Sequence, residues 1–203
     1  MAMRNLCDRI IERHEKGMEL RSRRSMRLKK YDYSQSGSYY ITLCVKNRLC
    51  LFGEIRNQEM QLNDLGKTIT QCWDWLQQQY KYVHVAEYIV MPDHTHAIIA
   101  INAYPGGSRT APTDHGRSKS LGRLVGAFKT VSTKKINALR QTPGFDLWQR
   151  NYYEHVVRDE TELHELRRYI RENPIKWDID PENPASCVSC PGLGTWDLSP
   201  INI

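Results

Sequence analysis

Residues 83–101 read VHVAEYIVMPDHTHAIIAI, and the rest of the fold is arranged around them. VHVAEYIV (83–90) and HAIIAI (96–101) have the β-branched and aromatic composition of strands. Between them the MPDHT stretch is a tight connection, which sets two neighbouring strands beside each other. If the chain is extended from residue 94 onward, alternate side chains share a face. His94 and His96 then point the same way, able to grip one metal ion through neutral imidazoles. An H-x-H pair alone is a weak motif, equally read as two incidental histidines at the start of a strand. Its position at the rim of a buried strand adds weight.

Working outward, SYYITLCV (38–45) predicts a strand, and LFGEI (51–55) follows after a loop. Residues 62–80 predict a helix, with Leu62, Leu65, Ile69, Trp73 and Leu76 at helical spacing and Asn63 and Asp64 as start signals. Residues 103–119 are a Gly-, Pro- and Ser-rich loop. A helix resumes over 120–140, with Leu121, Leu124, Val125, Phe128 and Leu139 on its apolar side and Arg123, Lys129, Lys134, Lys135 and Arg140 opposite. Residues 148–157 are strand-like. Residues 160–173 predict a last helix that turns Leu163, Leu166 and Ile170 inward and stops at Pro174. The order β-α-β-β-α-β-α predicts an α+β fold, a ferredoxin-like antiparallel sheet with helices on one face. The domain is expected over 23–178, preceded by a helical extension (1–22) and followed by a loosely packed tail (179–203).

Composition narrows the function classes. The chain has 203 residues, 40% of them hydrophobic and 26% charged, with a formal net charge of +6. No apolar run approaches the ~20 residues of a membrane span. The polar N-terminus, MAMRNLCDRIIERHEKG, is no secretory signal, so a cytoplasmic, nucleoid-associated protein without a membrane partner is expected. The basic balance admits an anionic partner, of which nucleic acid is the usual one. Cys44 and Cys72 lie in apolar or helical patterns and read as buried thiols. Cys187 and Cys190 form one C-x-x-C without the second pair a zinc site needs.

Tyr169 and Asn173 are four residues apart and share one helical face, which would aim a phenol and an amide at one point. An Asn carbonyl is an acceptable ligand for Mg²⁺ or Mn²⁺. Alone, the pair reads equally as a half-buried core tyrosine and a helix-end asparagine.

Three blocks together go further. YIVMPDHTHAII (88–99) resembles the V-M-P-N/D-H-x-H motif of REP-associated tyrosine transposases and related insertion-sequence transposases, the single-tyrosine HUH nucleases. LWQRNYYEHVVRDETELHELRRYIRENPIKW (147–177) resembles their second signature, which ends in Y-I-x-x-N-P-x-K. RRSMRLKKYDYSQSGSYYITLCVKNRLCLFGEI (23–55) is similar to their N-terminal strand region.

The resemblance implies an HUH nuclease fold and DNA transposition. Tyr169 would be the nucleophile, while His94, His96 and Asn173 would hold Mg²⁺ or Mn²⁺. Single-stranded or hairpin DNA would be cut and rejoined through a 5′-phosphotyrosine, by a monomer or a homodimer. Thr95 departs from the bulky hydrophobic residue usual between the two histidines. Tyr152 and Tyr153 are rival tyrosines that occupy the aromatic site before Glu154-His155, and His155 is a candidate supporting residue. Arg23, Arg24, Arg27, Lys29, Lys30, Arg123, Lys129, Lys134, Lys135 and Arg150 are expected phosphate contacts. Tyr31, Tyr33, Tyr39, Trp148 and Tyr152 are candidate stacking surfaces. The alternatives are a hairpin-DNA-binding protein that no longer cuts, a replication initiator or relaxase, and a histidine-triad hydrolase. The last lacks its next histidine at Ala97-Ile98.

Overall fold

The computed structural model describes residues 31–102, 119–177 and 183. The expected N-terminal extension, the cations Arg23, Arg24, Arg27, Lys29 and Lys30, and Cys187 and Cys190 lie outside them. In chain order the elements are β1 (Gly37–Cys44), β2 (Gly53–Arg56), β3 (Glu59–Leu62), α1 (Asp64–Gln79), β4 (Val83–Val90), β5 (His94–Ile101), α2 (Leu121–Arg140), β6 (Tyr153–Val157) and α3 (Glu160–Lys176). Four strands form an antiparallel sheet in the order β4-β5-β1-β6. Numbered within the sheet this is 2-3-1-4, the ferredoxin-like arrangement that the sequence predicts.

Strand alternation divides the core in two. Tyr39, Ile41, Leu43 and Val45 belong to the larger cluster, with Ile69, Trp73 and Leu76 of α1 and Leu121, Leu124 and Phe128 of α2. The Trp73 and Phe128 rings stack there with centroids 3.8 Å apart, a contact that adds about 0.5–1.5 kcal/mol beyond burial. Tyr40 faces the other way and packs with Ile98, Tyr153, Leu166 and Ile170 under α3. So α1 and α2 share one face, as the layout expects, and α3 roofs the opposite face.

Local chemistry sets the ends. Asn63 caps α1, its side-chain oxygen accepting from the Gly66 amide at 3.0 Å. A Cβ on Gly66 would lie 2.2 Å from the Phe52 carbonyl oxygen, so only glycine lets α1 approach that backbone. Asp159 caps α3 through the Glu162 amide (2.8 Å), and Glu162 reaches back to the Arg158 amide (2.7 Å) in a box-like arrangement. The other Glu162 oxygen meets His155 Nε2 at 2.8 Å, tying β6 to the first turn of α3.

Three expectations change. The β2–β3 hairpin is additional, and it turns on Asn57 and Gln58, both at positive φ (52° and 64°). That is the two-residue geometry that usually announces itself by a glycine, absent here. The last helix does not stop at Pro174 but continues to Lys176. Proline at that point removes a single backbone donor, and its ring is buried. Leu139, expected on the apolar side of α2, is 57% exposed in the last turn of that helix. Among the described residues no helix is long and apolar enough to cross a membrane.

Candidate active site

The reversal between β4 and β5 is pinned from several sides. The Met91 amide donates to the His94 carbonyl (2.9 Å), the Val45 amide to the Asp93 carbonyl (2.8 Å) and the Phe52 amide to the Pro92 carbonyl (3.0 Å). The first residue of β5 therefore has a fixed direction. His94 and His96 both point toward α3 and are nearly inaccessible, at 1% and 4% exposure. Their Nε2 atoms are 3.0 Å apart.

Each ring is held from behind. His94 Nδ1 lies 2.6 Å from Asp93 Oδ1. The carboxylate accepts, so Nδ1 carries the proton and Nε2 presents its lone pair. Asp93 is fully buried, and its second oxygen lies 2.9 Å from Arg48 Nε. This is a charge contact without the alignment of a directed hydrogen bond. Arg48 Nη1 also reaches Cys44 Sγ at 3.0 Å. His96 Nδ1 lies 2.7 Å from the Tyr40 hydroxyl and 2.9 Å from Thr42 Oγ1. Both hydroxyls come from β1, where Thr42 is the direct register partner of His96.

From above, α3 delivers the remaining groups. The Tyr169 ring meets the His96 ring edge-on, centroids 5.4 Å apart at 64°. It also meets Tyr40 at 6.3 Å. One turn later the Asn173 amide is 3% exposed, with Nδ2 3.4 Å from His96 Nε2. Its Oδ1 is buried without a hydrogen-bond partner. Trp177, at the end of the helix, closes over His94 with ring centroids 6.0 Å apart. The structure thus brings His94, His96, Tyr169 and Asn173 together within one chain.

This set suits a divalent cation. Two Nε2 atoms 3.0 Å apart match neighbouring positions around one ion whose bonds are about 2.1 Å. The orphaned Asn173 oxygen needs only a half-turn of its amide to replace Nδ2 beside His96. Two imidazoles with one amide oxygen form a mixed nitrogen–oxygen set that accepts Mn²⁺ or Mg²⁺. Among the described residues no cluster of three His, Cys, Asp or Glu side chains forms a metal site, so Asn173 is needed as the third donor.

The other expected residues are placed differently. Thr95 points to the opposite face of β5, where its hydroxyl donates to the Ile89 carbonyl (2.7 Å) and accepts from Trp73 Nε1 (3.3 Å). The departure from a bulky residue is therefore a core exchange that leaves the histidines in place. Tyr153 is buried under α3 and meets Tyr40 at 6.1 Å. Tyr152 lies beneath the Lys129 ammonium, 5.6 Å from its ring centre.

Lys129 itself donates to the carbonyls of Gln149 (2.7 Å) and Asn151 (3.1 Å), and burial pushes its pKa down to about 8. It braces the segment before β6. Arg123, Lys134, Lys135 and Arg150 are exposed, but the three on α2 belong to the layer across the sheet from the imidazoles. Of the expected stacking surfaces, Tyr39 and Trp148 are core residues, at 0% and 7% exposure. His155 serves the β6–α3 junction described above.

Sequence reasoning missed Asp93, Arg48, Tyr40 and Thr42. Asp93 adjoins His94, and Tyr40 and Thr42 alternate on one strand face, so period-two spacing was the available signal. It also missed a cationic surface on α3. His164, Arg167, Arg168, Arg171 and Glu172 line an open groove of about 310 Å³. Arg171 is committed there to Glu87 of β4 through contacts of 3.1 and 3.0 Å.

Comparison with known proteins agrees with this architecture. No family model matches the chain. An uncharacterized protein of Haemophilus influenzae is 43% identical over 166 residues, covering 78% of this chain and 91% of its own length. The two belong to one family. Among solved structures, the REP-associated tyrosine transposase bound to a REP hairpin superposes with a TM-score of 0.51. The match covers 75% of this chain and 74% of that one at 16% identity, a likeness of fold.

Proposed function

We propose that this chain is a transposase-type nuclease and strand transferase that cuts and rejoins single-stranded or hairpin DNA through a 5′-phosphotyrosine on Tyr169. The observation that carries the reading is the meeting of Tyr169 and Asn173, one helical turn apart, with the paired imidazoles of β5. The hairpin-bound transposase of the same fold supports DNA as the partner.

The chemistry follows from the groups present. A phenol has an ordinary pKa near 10 and is a weak nucleophile at neutral pH. Tyr169 Oη attacks the phosphorus, the bond from phosphorus to the 3′ oxygen breaks, and that oxygen takes up a proton as the phenol loses one. The DNA strand ends in a 3′-hydroxyl, and the energy of the broken bond is kept in the new ester. A 3′-hydroxyl of another strand reverses the step and rejoins DNA without a nucleotide cofactor. His94, His96 and Asn173 would hold Mg²⁺ or Mn²⁺. When bound, the ion polarises a non-bridging phosphate oxygen and offsets charge gathering on the phosphoryl group.

Burial of both imidazoles excludes bulk water from the metal side. The edge-on contact with His96 and Tyr40 holds the phenol at the rim of the site. All four groups come from one chain, which favours a subunit that needs no partner's tyrosine.

The test is a denaturing gel. A labelled hairpin with single-stranded flanks, incubated with the chain and Mn²⁺, should give a protein–DNA adduct that survives denaturation. Tyr169→Phe should abolish the adduct while leaving binding intact. Binding without an adduct in the parent chain would favour the non-cleaving alternative. An adduct that persists in Tyr169→Phe would overturn the assignment.

A further inference from the structure

We infer that Tyr40 and Thr42 are positioning residues that let His96 exchange its tautomer, so that one buried site is satisfied both without and with its ion. The inference rests on the metal reading above. With both rings neutral, Asp93 at 2.6 Å fixes the His94 proton on Nδ1 and leaves its Nε2 as an acceptor. The His96 Nε2 atom, 3.0 Å away, must then carry a proton, because two facing lone pairs in a buried site would repel. His96 Nδ1 is consequently bare in the metal-free chain, and it accepts from the Tyr40 hydroxyl at 2.7 Å or Thr42 Oγ1 at 2.9 Å.

A bound ion demands the reverse. His96 Nε2 must give up its proton to present a lone pair, and a neutral ring then carries its proton on Nδ1. A carboxylate or a carbonyl behind Nδ1 could only accept and would suit this second state alone. A hydroxyl donates in one state and accepts in the other. Thr42 Oγ1 also lies 3.4 Å from the Tyr40 oxygen, so the two hydroxyls can reorient as a pair. One proton leaves Nε2 and one arrives on Nδ1; the ring's charge does not change. The two histidines are therefore supported asymmetrically: a buried carboxylate holds His94 in one tautomer, and hydroxyls leave His96 able to exchange.

Long-range proton–nitrogen NMR on the full chain with ¹⁵N-labelled histidine tests this directly. Without metal, His96 should be in the Nε2–H form and His94 in the Nδ1–H form. On adding Mg²⁺ alone, His96 should move to the Nδ1–H form while His94 stays. Tyr40→Phe with Thr42→Val should lower Mg²⁺ affinity by about 10–100-fold, and restoring a hydroxyl as Thr42→Ser should recover most of the loss. If the double variant does not fold, Tyr40→Phe and Thr42→Val taken singly carry the same measurement. Mg²⁺ binding with no change of His96 tautomer would overturn the exchange. A parent chain that binds no Mg²⁺ would overturn the metal reading itself.

Discussion

Replacing Asp93 by Asn tests whether the chain of contacts from Arg48 through Asp93 to His94 organises the site. The carboxylate is fully buried, 2.6 Å from His94 Nδ1 and 2.9 Å from Arg48 Nε. Removing one member of a buried ion pair costs about 3–5 kcal/mol when the partner charge is left uncompensated. Two features reduce this. The Arg48 side chain keeps 18% of its exposure, and the new amide oxygen still accepts from Nδ1–H. We expect a loss of about 2–3 kcal/mol, which lowers the melting temperature by roughly 4–12 °C for a chain of this size. Mn²⁺ affinity should fall by about 10–100-fold, because the His94 ring loses its charged support.

Thermal denaturation with and without Mn²⁺ and a direct Mn²⁺ titration measure the two effects separately. A cycle with Arg48→Met should return a coupling of at least about 1 kcal/mol between the two positions. If Asp93→Asn melts with the parent chain and holds Mn²⁺ equally well, the arrangement around Asp93 does not organise the site.

Three further outcomes follow from packing and placement. Gly66→Ala should destabilise the chain by about 1–3 kcal/mol in a thermal melt, because its methyl group would meet the Phe52 carbonyl at 2.2 Å; an unchanged melting temperature would contradict that close approach. Thr95→Val should cost about 1–2 kcal/mol by stranding the Trp73 N–H and the Ile89 carbonyl, yet leave Mn²⁺ affinity unchanged, since the side chain faces away from the imidazoles. Lys129→Met should lower stability by about 1–2 kcal/mol through lost carbonyl contacts and leave the salt slope of DNA binding unaltered; a slope reduced by about one with full stability would make it a phosphate contact instead.

The sheet was legible because its strands carry strong composition and because chain order leaves few topologies. The histidine pair was legible through period-two alternation once His94 was placed at the start of β5, and Tyr169 with Asn173 through helical spacing. What escaped depends on contacts remote in sequence or on unusual backbone. Nothing local announces that Tyr40 lies behind His96, 56 residues away along the chain, or that Arg48 reaches Asp93. The β2–β3 turn uses Asn57 and Gln58 at positive φ, where glycine is the usual signal. Pro174 signals a helix end, but burial beside Asn173 carries α3 three residues past the expected stop at 173. The helical pattern of α2 separates its basic side from its apolar side. Which layer those cations occupy relative to the histidines follows only from the sheet's two faces.

Mass spectrometry of the covalent product asks the decisive question of the phenol on α3. The full chain is incubated with hairpin DNA and Mn²⁺, both polymers are digested, and the peptide retaining a nucleotide is sequenced. A 5′-linked nucleotide on Tyr169 is the expected result. A nucleotide on Tyr153 or any other residue, or DNA cut with no peptide attached, would contradict the account.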